Sequence, residues 1–488
     1  MHSPNDTQPR ALTTVPTMSS LAARRTWLLA FERGVAARTD ALAEAVRTDI
    51  GKQPWETLTQ ELMPLVASLR WHARDGIRLL EPRRVRGRSW WQLGQRHRSV
   101  HLPVGRVLII ATWNYPVQLL GVQLVQAVLA GNRVIVKPSE RSPRSQRMLV
   151  DLARAALAEA GMPADTVVSA EATREAGREL LERERFDHVI FTGSTEVGRE
   201  IAASCARTLT PCTLELSGRD SAIVLGDADP VLAARAIWHA ATMNAGQTCM
   251  APRRALVDRR VHAAFVAALR PLAAAARPVR LADAAMADRC VALAQDAVAH
   301  GARPLNGVLE PATAGAMRPM AIDGCPRDCD LVRGTHFGPV LAVVPVDGLD
   351  DALAMHRAVG QHLATSVYTR SPDTVLGDPA LLAALGSSNV TINDSILPTA
   401  HPATAITGSG PSGWGASRGA AGLLALTREV TVSSTSALLR TPLDEPEPRV
   451  QAWLRRLALG RAARRSAADA ADHRTNTLAA GHAAAKEH

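Results

Sequence analysis

Apolar positions near the start of the chain recur at spacings of three, four and seven. Leu21, Leu28, Phe31, Val35, Leu42 and Val46 therefore share one helical face. A second helical run is expected over 57–80, with Gly51 ending the first. From Val104 the period changes: short β-branched runs at 106–110, 133–136, 166–168 and 187–191 alternate with helical runs at 117–129 and 145–160. Such alternation predicts a parallel, doubly wound sheet with helices on both faces. After Cys249 it begins again, with a helix near 263–275, a strand at 340–344, a helix near 350–359 and a strand at 363–368, which predicts a second α/β domain. The stretch 277–334 is rich in Ala, Pro and Arg and only weakly periodic, so no element is assigned there. Residues 408–422 form a glycine-rich loop, and 429–432 have strand character.

The ends differ from the middle. Residues 1–17 are polar with prolines and are expected to be disordered. The tail from 441 opens with prolines and acids, then carries a basic, moderately amphipathic helix over 449–465 before alanine-rich polar sequence. Trp453, Leu454, Leu457 and Leu459 give that helix an apolar side, opposite Arg455, Arg456, Arg461, Arg464 and Arg465. Contact with an anionic membrane surface is conceivable, but so few anchors give only marginal attachment, and a solvated extension is the simpler expectation.

At 488 residues the chain exceeds what one hydrophobic core usually holds, and 47% hydrophobic with 21% charged residues is ordinary for a globular protein. No apolar run approaches about 20 residues, and the first ten do not read as a signal peptide. The six cysteines lack the spacing of a disulfide scaffold. A soluble, cytoplasmic protein is expected. Cys325, Cys329 and His336 could be imagined as ligands, but no second cysteine pair stands at zinc spacing, and no metal is expected. The net charge of +10 comes almost wholly from arginine, because Lys52, Lys137 and Lys486 are the lysines present. A basic balance of that kind does not make a nucleic-acid binder, and none is expected. Arg83, Arg84, Arg86, Arg88, Arg96 and Arg98, around Trp90 and Trp91, read as a solvated surface segment.

Three stretches carry candidate chemistry. Asn244-Ala245-Gly246-Gln247-Thr248-Cys249 is a run of mostly small residues leading to one thiol, the access a nucleophile needs. Phe191-Thr192-Gly193-Ser194-Thr195-Glu196-Val197-Gly198 joins a strand to a helix through glycines, and free N–H groups at such a helix start attract anions. It lacks the full G-x-G-x-x-G fingerprint. Thr213-Leu214-Glu215-Leu216-Ser217-Gly218 puts one acid inside an apolar strand, which is costly unless the carboxyl is used or paired.

These segments, with Pro103-Val104-Gly105 through Ala111-Thr112-Trp113-Asn114-Tyr115-Pro116, Gly131-Asn132 through Val136-Lys137-Pro138-Ser139-Glu140, and Phe337-Gly338-Pro339-Val340, stand in an order that resembles the aldehyde dehydrogenase superfamily, with the nearest look to its short, dimeric class 3 type. The resemblance spans about 21–439. It implies two doubly wound α/β domains plus a small β bridging segment. The implied boundaries are an NAD(P)-binding domain over 18–217 with a bridging hairpin at 98–105, a catalytic cysteine domain over 218–399, a return over 400–440, and an appended tail over 441–488.

It also implies NAD(P)-dependent oxidation of an aldehyde to a carboxylic acid. Cys249, as thiolate, would form a thiohemiacetal and then a thioester; Asn114 would donate to the oxyanion, and Glu215 would activate water. Lys137 and Glu140 would hold the adenosine ribose, Gly193, Ser194 and Val197 would border the pyrophosphate, and Trp113, Ser139, Gly218 and Phe337 complete the implied cofactor set. A glutamate at 140 favours NAD, with NADP admissible. A homodimer is implied, formed through 98–105 and 429–436.

Two departures stand out. Thr335 occupies the place of the glutamate that usually holds the nicotinamide ribose, while Ser217 and Arg219 replace a glycine and a lysine beside Glu215. Two alternatives therefore stay open: reduction of an acyl thioester through the same cysteine, and a cofactor-binding protein with weak redox turnover.

Overall fold

The computed structural model describes residues 19–87, 92, 94–436, 445–457 and 460. The expectations for 1–17, Arg88, Trp90, Trp91 and Leu459 and for the tail from 461, with Arg461, Arg464 and Arg465, fall outside the described residues. Contacts divide the chain into a large unit, 1–82 with 100–430, and a small one, 83–99 with 431–488.

The large unit contains two mostly parallel sheets. One has six strands in the order Gly413–Trp414, Cys212–Leu216, His188–Gly193, Arg106–Ile110, Arg133–Lys137, Val167–Ser169. Its strands pair in parallel except for Gly413–Trp414, which runs against Cys212–Leu216. Gly413 has φ 103°, and a Cβ there would meet the Leu214 carbonyl at 1.9 Å, so only glycine closes this edge beside Glu215. Strand order reverses between Arg106–Ile110 and His188–Gly193. In a doubly wound sheet, that is where a crevice opens at the carboxyl ends.

The second sheet has seven strands: Arg303–Pro304, Met320–Asp323, Val340–Val346, Pro252–Asp258, Asp220–Val224, Ala364–Tyr368 and Asn389–Ile392. It is parallel apart from the first pair. The chain crosses from sheet to sheet between Leu216 and Asp220 and returns with Gly413–Trp414.

The opening helices, Leu21–Ala37 and Thr39–Ile50, bury Leu28, Phe31, Val35, Leu42 and Val46 as their spacing requires. The next helical run is widened twice into π turns, at Leu58–Leu62 and His72–Gly76. Pro64 has no N–H to donate and stands in the first turn of the helix that follows the first π turn, where prolines are tolerated. Residues 277–334 are better ordered than their sequence suggested: helix Ala284–Ala299 packs Cys290, Val291 and Ala294 into a core with Ile322 and Val340. Within 408–422 the loop passes into a helix, Gly419–Ala425.

The small unit includes most of a three-stranded sheet in the order Arg83–Arg84, Gln95–Pro103, Thr427–Thr435, in which the first pair is antiparallel. The segment 98–105 thus belongs to a longer strand whose hairpin partner is Arg83–Arg84. In the tail, 448–457 and 460 are helical. Among the described residues no helix is long and apolar enough to cross a membrane.

Candidate active site

Cys249 lies on the connection between helix Pro230–Thr242 and strand Pro252–Asp258. Asn244, Ala245 and Gly246 take successive left-handed conformations (φ 53°, 53° and 69°), which turns the chain sharply ahead of the thiol. Gly246 is required: its Cβ would sit 2.3 Å from the Gly338 backbone. The turn is held from within by Arg253, wholly buried, whose guanidinium donates to the Gly246 and Thr248 carbonyls at 2.8 and 2.7 Å. Thr248 shares a 2.7 Å hydrogen bond with the Tyr115 hydroxyl, and Gly218 N–H donates to the Cys249 carbonyl at 3.2 Å.

Asn114 is buried, and its amide is oriented by two contacts. Nδ2 donates to the Gln247 carbonyl at 3.0 Å, and Oδ1 accepts from the Thr112 hydroxyl at 2.9 Å. Its own carbonyl accepts from Lys52 Nζ at 3.0 Å and Asn244 Nδ2 at 2.8 Å. Lys52 in turn pairs with Glu61 at 2.5 Å with both side chains fully buried, and lies 3.9 Å from the centre of the Tyr115 ring. Glu61 closes the network by accepting from Val117 and Gln118 N–H at 2.8 and 3.2 Å, the orphan donors at the start of helix Gln118–Leu129.

Glu215 is buried in strand Cys212–Leu216. Its Oε2 accepts from the Thr192 hydroxyl at 3.3 Å and Oε1 has no partner. Burial pushes its carboxyl up to about 7, against weaker opposing effects of Arg418 and Thr192. Asp220 is likewise pushed up to about 7 by burial. Burial first, then the charges of Glu215 and Asp220, raise the Cys249 thiol to about 12, with Arg253 pulling the other way. Burial and these acids favour the protonated thiol, so the thiolate that attack requires forms against them.

Cys249 and Glu215 both line a cavity of about 230 Å³, together with Tyr115, Met250, Ile406 and Arg418. None of the residues assigned to the cofactor lines it. Those residues lie at the carboxyl ends of the six-stranded sheet or around Phe337. Lys137 ends its strand with Nζ 3.2 Å from Glu140, which also accepts from Arg174 Nε at 3.0 Å. Burial opposes ionisation of Glu140, but its own N–H, Arg174 and Lys137 together hold the carboxyl down to about 2. Ser139 N–H donates to Gln146 at 2.6 Å. Gly193 ends the strand across the switch point. Ser194 caps helix Thr195–Arg207, and its hydroxyl accepts the Val197 N–H at 3.4 Å, so that donor is already engaged. Gly218 is close-packed: a Cβ would fall 2.4 Å from Asp220. Trp113 meets Phe337 edge-on at 5.8 Å.

An ammonium, an ionised carboxylate and a helix start grouped at the switch point suit the diol and phosphates of a dinucleotide. At the other end, Thr335 is exposed and its carbonyl accepts from Arg289 Nε at 3.0 Å, so position 335 offers no carboxylate to a second ribose. Cys325 and Cys329 are buried, and among the described residues no group of three His, Cys, Asp or Glu could hold a metal ion.

The aldehyde dehydrogenase family model matches residues 10–432. The chain belongs to the aldehyde dehydrogenase family. The enzyme is 31% identical over 412 residues to a 4,4′-diapolycopene aldehyde oxidase from a Methylomonas species, covering 83% of this chain and 76% of that one. It is 30% identical over 411 residues to the dimeric NADP-preferring aldehyde dehydrogenase of Rattus norvegicus, covering 82% and 87%. Among solved structures it resembles a Mycobacterium tuberculosis aldehyde dehydrogenase complexed with NAD+, with a TM-score of 0.78 at 25% identity over 86% and 87% of the two chains. This aldehyde dehydrogenase is thus an oxidoreductase of the aldehyde group.

Reading the sequence alone missed Arg253, Asp220, the Glu61 partner of Lys52, and Arg418. Two adjacent arginines inside the apolar strand Pro252–Asp258 were a usable signal, because arginine is rarely buried without a structural task.

Proposed function

We propose that the enzyme oxidises an aldehyde to its carboxylic acid on Cys249, with Glu215 as base and Asn114 as oxyanion donor. The observation that carries this is the shared cavity, into which both the thiol and a carboxyl held near 7 open. The Cys249 thiol first gives its proton to solvent. The Cys249 sulfur bonds to the carbonyl carbon while the carbonyl electrons move to oxygen. Asn114 Nδ2 and the Cys249 N–H stabilise that oxyanion, with the amide already oriented by Gln247 and Thr112. When bound, the nicotinamide accepts the hydride that leaves the adduct, and a thioester remains on Cys249. Glu215 then removes a proton from water, whose oxygen attacks the thioester and releases acid and thiol.

Lys137 and Glu140 would hold the adenosine ribose, the helix start after Gly193 the pyrophosphate, and Trp113 and Phe337 would flank the reactive end. Glu140 favours the free diol of NAD, and Arg174 beside it is a cation within reach of a 2′-phosphate. Residues 18–217 would then hold the cofactor and also lend Tyr115, Thr192 and Glu215 to the aldehyde cavity, while 218–399 supply Cys249. A dimer through 98–105 and 429–436 accords with the place of the exposed strand Thr427–Thr435 at an edge of its sheet among the described residues; light scattering is expected to give twice the chain mass, and a monomer at micromolar concentration would refute it.

The reading is tested by incubating the purified enzyme with NAD or NADP and a panel of aldehydes, following reduced nicotinamide across pH. Activity is expected to rise with pH through about 7 and then level, because Glu215 works in its deprotonated form. No signal with either cofactor would overturn the reading. Aldehyde released from an acyl thioester, with no acid formed from aldehyde, would favour the reductase.

A further inference from the structure

Arg418 is an unusual residue for its place. It lies within the return segment, is only 6% exposed, and lines the same cavity as Cys249 and Glu215. Among the described residues its guanidinium has no hydrogen-bond or ion-pair partner: Glu215 Oε1 is unpartnered and Oε2 engages Thr192, while Asp394, the other acid of the cavity, accepts from Ser395 N–H at 2.6 Å. A guanidinium stays ionised under ordinary conditions; the Glu215 charge favours it from a distance, but no protein acceptor among the described residues engages its donors.

The backbone bears a cost. Arg418 has φ 65° and ψ 166°, a conformation that suits glycine. It is pinned there by Gln126, whose Oε1 accepts the Arg418 N–H at 3.2 Å while its Nε2 donates to the Gly419 carbonyl at 3.0 Å. A mostly apolar cavity thus holds one long, cationic side chain whose guanidinium has no protein partner among the described residues.

Building on the assignment of the Cys249 cavity to the aldehyde, we infer that Arg418 binds an anionic group of the substrate, so that the enzyme prefers aldehydes carrying a carboxylate. The planar guanidinium fork matches a carboxylate with two parallel hydrogen bonds, and in a mostly apolar cavity such a contact discriminates against an uncharged analogue. The apolar walls receive the carbon body that joins the anion to the aldehyde.

The test compares kcat/KM within matched pairs: 4-formylbenzoate against benzaldehyde, and succinate semialdehyde against butanal. The native enzyme is expected to prefer the anionic member of at least one pair by about 10-fold or more, expressed mainly in KM. Arg418→Met is expected to bring that ratio to about one or below, and Arg418→Lys to retain part of it. If Arg418 only tuned Glu215 or Cys249, both members of each pair would fall together and the ratio would persist, which would overturn the inference. So would a ratio near one in the native enzyme. A binding measurement separates this from the reaction itself. Succinate and terephthalate, the acids those aldehydes yield, should raise the melting temperature of the native protein but not that of Arg418→Gly, whose backbone suits the position. Absence of any aldehyde oxidation would defeat the proposed reaction while leaving the melting shift to decide the role of Arg418; no shift from either acid would count against it.

Discussion

Cys249→Ala should lower aldehyde oxidation by at least ~10⁴-fold, the scale expected when a covalent nucleophile is removed and only binding and polarisation remain. The expectation rests on the placement of the thiol in the cavity beside Glu215 and on the left-handed turn that presents it. Alanine fits the site without strain, because the turn is held by Arg253 to backbone carbonyls and by Thr248 to Tyr115, none of which uses the sulfur. The variant should therefore fold and melt close to the native protein. Steady-state production of reduced nicotinamide measures the effect, and retained turnover would show that the thiol is a bystander.

Lys52→Met should cost about 3–5 kcal/mol of stability, the penalty for leaving one member of a buried ion pair alone. Lys52 and Glu61 are both fully buried at 2.5 Å, and burial lowers the Lys52 pKa while Glu61 opposes that shift. Without the ammonium, Glu61 loses its counter-charge but still receives the Val117 and Gln118 N–H groups, and the Asn114 carbonyl loses a donor. The damage reaches the site because Asn114 lies between this pair and the Cys249 loop. Lys52→Met combined with Glu61→Met should recover much of the loss in the thermal midpoint, since replacing both charges by apolar groups is far less costly than orphaning one. A single variant as stable as the native protein would contradict this account of the pair.

The strands of the first sheet were legible because β-branched runs stand between glycines and prolines, as Arg106–Ile110 does between Gly105 and Pro116. Helix Ala284–Ala299 was not, because alanine is tolerated on either face and blurs the contrast on which a helical period depends. Strands Arg303–Pro304 and Ala316–Met317 are too short to show any period. At the proposed site, Cys249 and Glu215 stand out in short segments, and Asn114 enters through the family resemblance. Arg253, Asp220 and Arg418 do not stand out, because their roles arise from loss of solvent and from neighbours distant in the chain, neither of which is written locally. The same holds for the thiol: a small-residue segment announced its access, while the upward push on its pKa comes first from burial and then from Glu215 and Asp220.

The central claim, that the aldehyde carbon becomes bonded to Cys249, is tested most directly by intact-protein mass spectrometry of Glu215→Gln after incubation with benzaldehyde and NAD. With the base removed, thioester hydrolysis should become slow. The account predicts one added benzoyl group per chain, located by peptide mapping to Cys249, lost on treatment with hydroxylamine and absent from the double variant with Cys249→Ala. An acyl group on another residue, or acid formed steadily with no adduct in either protein, would contradict it.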